Sequence, residues 1–378
     1  MIGVFGPVTQ NPAYLDWNAT APLRPEARAA LDEVLAHSGN PSSIHLAGRE
    51  AKRFLEQARS RVAALAGVAP EQVVFTSGGT EANALALGGF PGRRLIVSAI
   101  EHDSVLANAP GASRIRVTRE GLADLTSLEA LLAQDRRPAL VSLLLANNET
   151  GVIQPVAEAA KLAHAHNALF HCDAVQAAGK QPLDFRALGC DLMTLSAHKL
   201  GGPMGVGALI LAPGLDMAPL YRGGGQERGR RAGTENLPGI AGFGAACAAS
   251  IAGLADHIRV GALRDLAQAR LTAIAPDAVV FGAKVARLPN TLSIAMPGVP
   301  ASTQVMALDL AGVMVSAGSA CSSGKVKRSH VLEAMGAPET LSECAIRVSL
   351  GWSTTEAEIG RLAEAWGALY ARCRASAA

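Results

Sequence analysis

The sequence predicts an α/β fold: a mostly parallel sheet covered by helices on both faces, followed by a smaller α+β unit. Three observations carry that reading. Short apolar runs alternate with stretches of helical periodicity as far as about Leu254, and polar residues cluster at the carboxyl ends of those runs. Beyond Leu254 the alternation breaks into a long helix and scattered strands.

Taken in order, a helix is expected over 25–37, opening on Pro25 and placing Ala27, Leu31, Val34 and Leu35 on one stripe. A second, over 48–65, is charged on one face and stops before Gly67. Further helices fit 122–134, 156–166, 302–310 and 356–372. The buried strands are expected at 73–75, 95–100, 140–145, 169–171, 192–195 and 206–211. Only the Gly-rich connection 196–205 joins the last two, too short for a helical crossover, so the strand at 206–211 should run antiparallel. A large domain is expected over 15–254, and a small one from 1–14 together with 255–378.

Composition narrows the function. Of the 378 residues 49% are apolar, which supports a large core, and a net charge of +2 gives no case for nucleic acid or an anionic membrane as partner. The start of the chain lacks the basic and apolar regions of a secretory signal, and the uncharged stretch 236–255 is rich in Gly, Ala and Ser, so it reads as a packed internal helix. A cytoplasmic protein is expected. The six cysteines follow neither a zinc-site nor a disulfide spacing, so no metal is expected. Cys172, Cys190, Cys247 and Cys344 read as packing residues and Cys373 as part of a frayed tail; Cys321 alone stands in a small-residue segment.

The polar clusters follow the strands: Thr76 to Thr80, Glu101-His102, Asn147 to Glu149, Asp173 with Gln176, and Ser196 to Lys199. In an open α/β sheet ligands bind where such ends converge. Lys199 and Asp173 are the informative pair. A pyridoxal phosphate enzyme requires an amine to form a Schiff base and a carboxylate to keep the pyridine nitrogen protonated. Alone, Lys199 reads as a solvated lysine and Asp173 as a cap for a helix from Ala174; together, one strand–helix–strand unit apart, they favour the cofactor.

The other candidates each have two readings. Gly78-Gly79-Thr80 offers backbone N–H groups to a phosphate at a helix start, or is an ordinary turn; it is not a nucleotide loop, since no Gly-Lys-Ser/Thr follows. His102 lies flat on a cofactor ring and relays protons, or opens a short helix. Asn148 and Gln176 donate to the cofactor's phenolic oxygen, or satisfy their own loops. The Gly-rich basic segment 222–236 is a mobile solvated loop, or reaches across a subunit interface to bring Thr234 to the phosphate. Cys321, followed by Lys325, Lys327 and Arg328, is a thiol whose cationic neighbours raise its thiolate fraction, or a chance exposed cysteine. Arg347 can clamp an α-carboxylate bidentately.

With these motifs in place, the chain resembles the cysteine desulfurases of the nitrogenase and iron–sulfur cluster type, in the class V aminotransferase group of fold-type-I pyridoxal phosphate enzymes. The match runs through Leu15-Asp-Trp-Asn-Ala-Thr, Gly39-Asn-Pro-Ser-Ser-Ile-His45, Phe75-Thr-Ser-Gly-Gly-Thr-Glu and Ala146-Asn-Asn-Glu-Thr-Gly. It continues through His171-Cys-Asp-Ala-Val-Gln, Ser196-Ala-His-Lys and the Arg-rich loop to Ser319-Ala-Cys-Ser-Ser-Gly, in order over nearly the whole chain.

The resemblance implies a seven-stranded sheet and a homodimer. It implies that Lys199 carries the cofactor, Asp173 faces its ring nitrogen and His102 stacks on its ring. Gly79, Thr80, Ser196, His198 and the other subunit's Thr234 would hold the phosphate, with Asn148 and Gln176 at the ring substituents and Arg347, beside Asn148, at the substrate carboxylate. Cys321 would take sulfur from L-cysteine as a persulfide, releasing L-alanine, for delivery to an iron–sulfur scaffold or thiolation enzyme. The chain ends at Arg374-Ala-Ser-Ala-Ala378, short of the tail that some relatives use to dock a scaffold, which leaves the acceptor open. A selenocysteine lyase, another class V enzyme, or a catalytically idle sulfur relay are the alternatives.

Overall fold

The computed structural model describes residues 12–318 and 328–375. The strands in its first part are β1 (Ala13–Tyr14), β2 (Val73–Thr76), β3 (Arg94–Ser98), β4 (Ser113–Ile115), β5 (Ala139–Ser142), β6 (Leu169–Asp173), β7 (Leu192–Ser196) and β8 (Gly207–Leu211). After them come β9 (Val279–Val280), β10 (Thr291–Ala295), β11 (Val313–Met314), β12 (Ser316–Ala317) and β13 (Ala345–Ser349). Seven form the main sheet in the order β2-β8-β7-β6-β5-β3-β4.

From β7 through β4 the main sheet is parallel, and β8 runs antiparallel to both its neighbours, β7 and β2. The antiparallel strand is thus where the short connection required it. The edge strand β4 was not anticipated: it has three residues, and Ser113 and Arg114 are exposed, so it carries no apolar run. Other boundaries moved by a few residues. The helix expected over 122–134 starts at Leu125, because Asp124 caps it by accepting from the N–H groups of Thr126 and Ser127.

Side chains alternate across the sheet, so neighbouring residues feed different cores. Val73, Phe75, Val141, Phe170, Met193 and Ile210 join one cluster with Phe54, Val62 and Phe243, while Val74, Leu140, Leu192 and Leu209 join another with Leu85. Every residue of β2, β5, β7 and β8 is buried, as a sheet covered on both faces demands. Leu237–Ala252, the helix expected to pack internally, crosses Leu46–Ala66 closely: a Cβ on Gly244 would lie 2.7 Å from Ala58 Cα. No single helix among the described residues is long and apolar enough to cross a membrane.

The remaining strands make a sheet of order β12-β13-β10-β9 and the pair β1-β11. Leu292, Ile294, Ile346, Val348 and Trp366 form their core, and Ala13 and Leu15 join it, so the beginning of the described chain packs with its end. Cys373 departs from expectation. It is half-buried in the helix Glu356–Ala375 and packs against this core, because the helix continues past it to Ala375. The other four described cysteines are buried.

The segment 222–236 is largely exposed, as a solvated loop would be, but it is anchored at the buried Glu227. Glu227 accepts two hydrogen bonds from Arg59, each 2.8 Å, and one from Phe75 N at 2.9 Å, with side-chain exposures of 5% for Arg59 and 1% for Glu227. Breaking such a pair strands a buried charge. Glu227→Ala is therefore expected to lower unfolding stability by about 3–5 kcal/mol in urea titrations, and a loss below about 1 kcal/mol would show that the anchor is dispensable.

Candidate active site

A cavity of about 380 Å³ opens where the strand ends converge. Gly79 and Thr80 follow β2, His102 follows β3 and Asn148 follows β5; Asp173 ends β6, Ser196 ends β7, and His198 and Lys199 come directly after it. Arg347, from the middle of β13, and Gln176 also line the space. Ten of the sequence-predicted residues therefore meet around one cavity.

Lys199 occupies the single turn Ala197–Lys199, and its Nζ donates to the carbonyls of Asn18 at 2.8 Å and Ala19 at 2.7 Å. The acid is held on both oxygens: Asp173 accepts from Asn83 Nδ2 at 2.8 Å and from Val175 N at 3.0 Å. The second bond is a local turn, so the helix from Ala174 that Asp173 was read as capping does not form. Glu101, buried next to Asp173, is pushed well above the usual carboxylate range by burial and by that neighbouring charge, so a second full negative charge is disfavoured there.

His102 opens a short helix, as one of its two readings expected. It is the N-cap of the short helix Asp103–Leu106 and it lines the cavity. Ser104 N donates to Nδ1 at 3.1 Å, and since a backbone N–H can only donate, the proton of the neutral ring belongs on Nε2. His198 is held neutral: burial, then the neighbouring Lys199, lowers its pKa to about 4.

Beside Ser196 and Val175, the helix Gly79–Gly88 begins after Gly78, whose lack of a side chain leaves the first-turn N–H groups uncapped by it. A Cβ on Gly79 would come within 3.2 Å of Val175 Cγ2 and 3.4 Å of Ser196 Cβ, so glycine keeps this corner open. Thr234 does not line the cavity; it is exposed and borders a separate small one with Phe75, Ser77 and Gly205.

Arg347 is 3% exposed and donates to Asp16 Oδ1 at 2.8 Å and to Asn148 O at 3.2 Å, while its buried Nε meets no partner among the described residues. Glu149, next in sequence to Asn148, accepts from Ser329 Oγ at 2.5 Å, and a Cβ on Gly318 would lie 3.0 Å from its Oε2. Burial raises the Glu149 carboxyl to about 7, against the lowering effect of Ser329 and Arg347. Cys321 lies outside the described residues.

Three contributors escaped the sequence reading. Asn18 is a hub whose carbonyl receives Lys199 and Gln176 and whose side chain meets Lys180, Asn290 and Thr291. Asn83 orients Asp173, and its buried Oδ1 has no partner among the described residues. Asp16 orients Arg347. The signal for Asn83 was present, as a lone amide in the apolar run Ala82-Asn-Ala-Leu-Ala-Leu87.

Residues 13–362 match the family Aminotransferase class-V, and the chain belongs to it. Its relatives narrow the group. The chain is 47% identical to the cysteine desulfurase of Cereibacter sphaeroides, over 93% of this chain and 94% of the relative. It is 40% identical to the cysteine desulfurase IscS of Dictyoglomus turgidum, over 92% and 91%. Among solved structures, the NifS-like protein from Rickettsia africae superposes with a TM-score of 0.89 at 37% identity, over 95% of this chain and 99% of that one. Within the class V family, the chain thus belongs with the NifS- and IscS-like cysteine desulfurases.

Proposed function

We propose that the protein is a pyridoxal phosphate-dependent cysteine desulfurase that takes sulfur from L-cysteine, releases L-alanine and carries the sulfur as a persulfide on Cys321. The observation that carries this reading is the meeting of Lys199, Asp173, His102 and Arg347 around one cavity. The donor set fits the cofactor. An amine and an acid line the same space, uncapped helix N–H groups lie beside Ser196, and the unpartnered Oδ1 of Asn83 remains in the wall. The volume suits a small ligand, since such sites run from about 300 Å³ upward.

Bound pyridoxal phosphate supplies an electron sink for charge that develops at the substrate α-carbon. Lys199 holds the cofactor and moves the proton at Cα. Asp173, with both oxygens already fixed by donors, accepts from the ring nitrogen. His102, its Nδ1 engaged by Ser104, would offer its ring and Nε2–H to the bound cofactor. Gly79, Thr80, Ser196 and neutral His198 bind the phosphate, joined by Thr234 of the partner subunit; Asn148 and Gln176 meet the ring substituents. The Cys321 thiolate then bonds to the substrate sulfur as the Cβ–S bond breaks. The carbon keeps the electron pair and takes a proton to become alanine, and the enzyme retains a persulfide, a reversible and transferable form of sulfur. That sulfur passes to an acceptor protein of iron–sulfur cluster or thio-cofactor assembly.

We place this chemistry in a cytoplasmic homodimer. Ile44, Leu46 and Met204 are apolar and largely exposed in the single chain, which supports a partner surface, and unpaired cysteines suit a reducing compartment. The domains are read as 15–254 for the cofactor and 1–14 with 255–378 for the sulfur-bearing segment.

Purified protein incubated with pyridoxal phosphate and L-cysteine should give alanine and, with a thiol reductant, sulfide in equal amounts; neither product would end the proposal. Arg347 provides a sharper check. Arg347→Leu is expected to raise KM for L-cysteine by about a hundredfold, the loss of a charge-assisted pair, with the visible colour of the bound cofactor retained. An unchanged KM would remove Arg347 from the substrate site.

A further inference from the structure

Behind Lys199 the cavity wall rests on a second lysine. Lys180 is buried in the turn after β6, and its Nζ donates to Gln176 Oε1 at 2.8 Å and to Asn18 Oδ1 at 2.9 Å. Both acceptors are neutral amide oxygens. Burial, with Lys199 and Arg347 nearby, pushes this amine well below the usual lysine range. Burying an amine without an acid is costly, and these contacts return no ion-pair energy.

What Lys180 supplies is direction. Both bonds run from Nζ to an amide oxygen, and a charged Nζ, having no lone pair, admits no other orientation of the two amides. For Gln176 this sends Nε2 the other way, where it donates to Asn18 O at 3.0 Å and has a second hydrogen left for the cavity that Gln176 lines. For Asn18 it sends Nδ2 to Thr291 Oγ1 at 2.9 Å and Asn148 O at 3.1 Å. Asn18 O, fixed in this way, is also the acceptor of Lys199 Nζ.

We propose that Lys180 is a positioning residue: it locks the amides of Gln176 and Asn18 so that Gln176 presents N–H rather than C=O to the cofactor while Asn18 holds Lys199. This rests on the cavity being a pyridoxal phosphate site. Without the lock, Gln176 is free to flip.

The test is a mutant cycle on the cofactor-loaded protein, read by the visible absorption band and by the affinity of the stripped protein for pyridoxal phosphate. Lys180→Met is expected to keep the parent circular dichroism, shift the band and weaken affinity by about tenfold, the scale of one misdirected hydrogen bond. In a Gln176→Leu background the same change should have a clearly smaller effect on both quantities, the remainder passing through Asn18. Lys180→Gln, whose amide can present either group and so enforces nothing, should shift both readouts in the same sense; it carries the test if Lys180→Met does not fold. An unshifted band with parent affinity, or an effect of equal size with and without Gln176, overturns the inference and leaves the cofactor reading intact. Failure of the parent protein to take up pyridoxal phosphate overturns both.

Discussion

Lys199→Ala is expected to cut alanine formation from L-cysteine by at least about a thousandfold, within the range that loss of a proton-transferring group costs. The fold should survive. Lys199 Nζ donates to two backbone carbonyls of a half-buried stretch, and truncation lets water replace it there. Pyridoxal phosphate should still enter, since the helix start at Gly79, Ser196 and His198 are untouched. The measurement is amino-acid chromatography of the reaction mixture with matched cofactor loading. Turnover near the parent rate would reject the amine as the group that moves the Cα proton, because no other described lysine besides the deeply buried Lys180 stands close to this cavity.

The second large effect separates a desulfurase from its neighbours in chemistry. Cys321→Ala should retain the colour of the bound cofactor and lose sulfide release by at least about a thousandfold, as removal of a nucleophile does elsewhere. Its flanks favour the assignment. On either side of the segment that carries Cys321, Ser329 donates to Glu149 and Gly318 lies so near it that a Cβ there would be 3.0 Å from Oε2; Glu149 neighbours Asn148 at the cavity. Sulfide at the parent rate would instead favour a selenocysteine lyase-like or aminotransferase-like use of the same cavity. A colourless parent protein would favour the idle relay.

Much of this site is legible in the sequence because the sheet does the gathering. A residue that directly follows a buried parallel strand lies at one known edge, so His102, Asp173, Ser196 and Lys199 can be placed together from local pattern alone. Asn18 cannot be placed that way. Its partners Gln176, Lys180 and Thr291 lie 158, 162 and 273 residues along the chain, and no periodicity encodes such separations. The same holds for Glu227: its basic, Gly-rich surroundings suggest solvent, while the arginine that buries it lies 168 residues away. β4 was missed for the opposite reason, since a three-residue edge strand has almost no pattern to read.

The antiparallel course of β8 bears on how the amine works. Because β8 returns directly alongside β7, with Gly207 opposite Ser196, the stretch between them that bears Lys199 is stitched to the sheet at both feet. Lys199 comes three residues after the paired Ser196, so its place is tied to the strand end and the reach of the ammonium is set mainly by the length of its own stem. If Lys199 is the proton carrier of the proposed reaction, that short leash confines the carbons it can serve to those within one small arc.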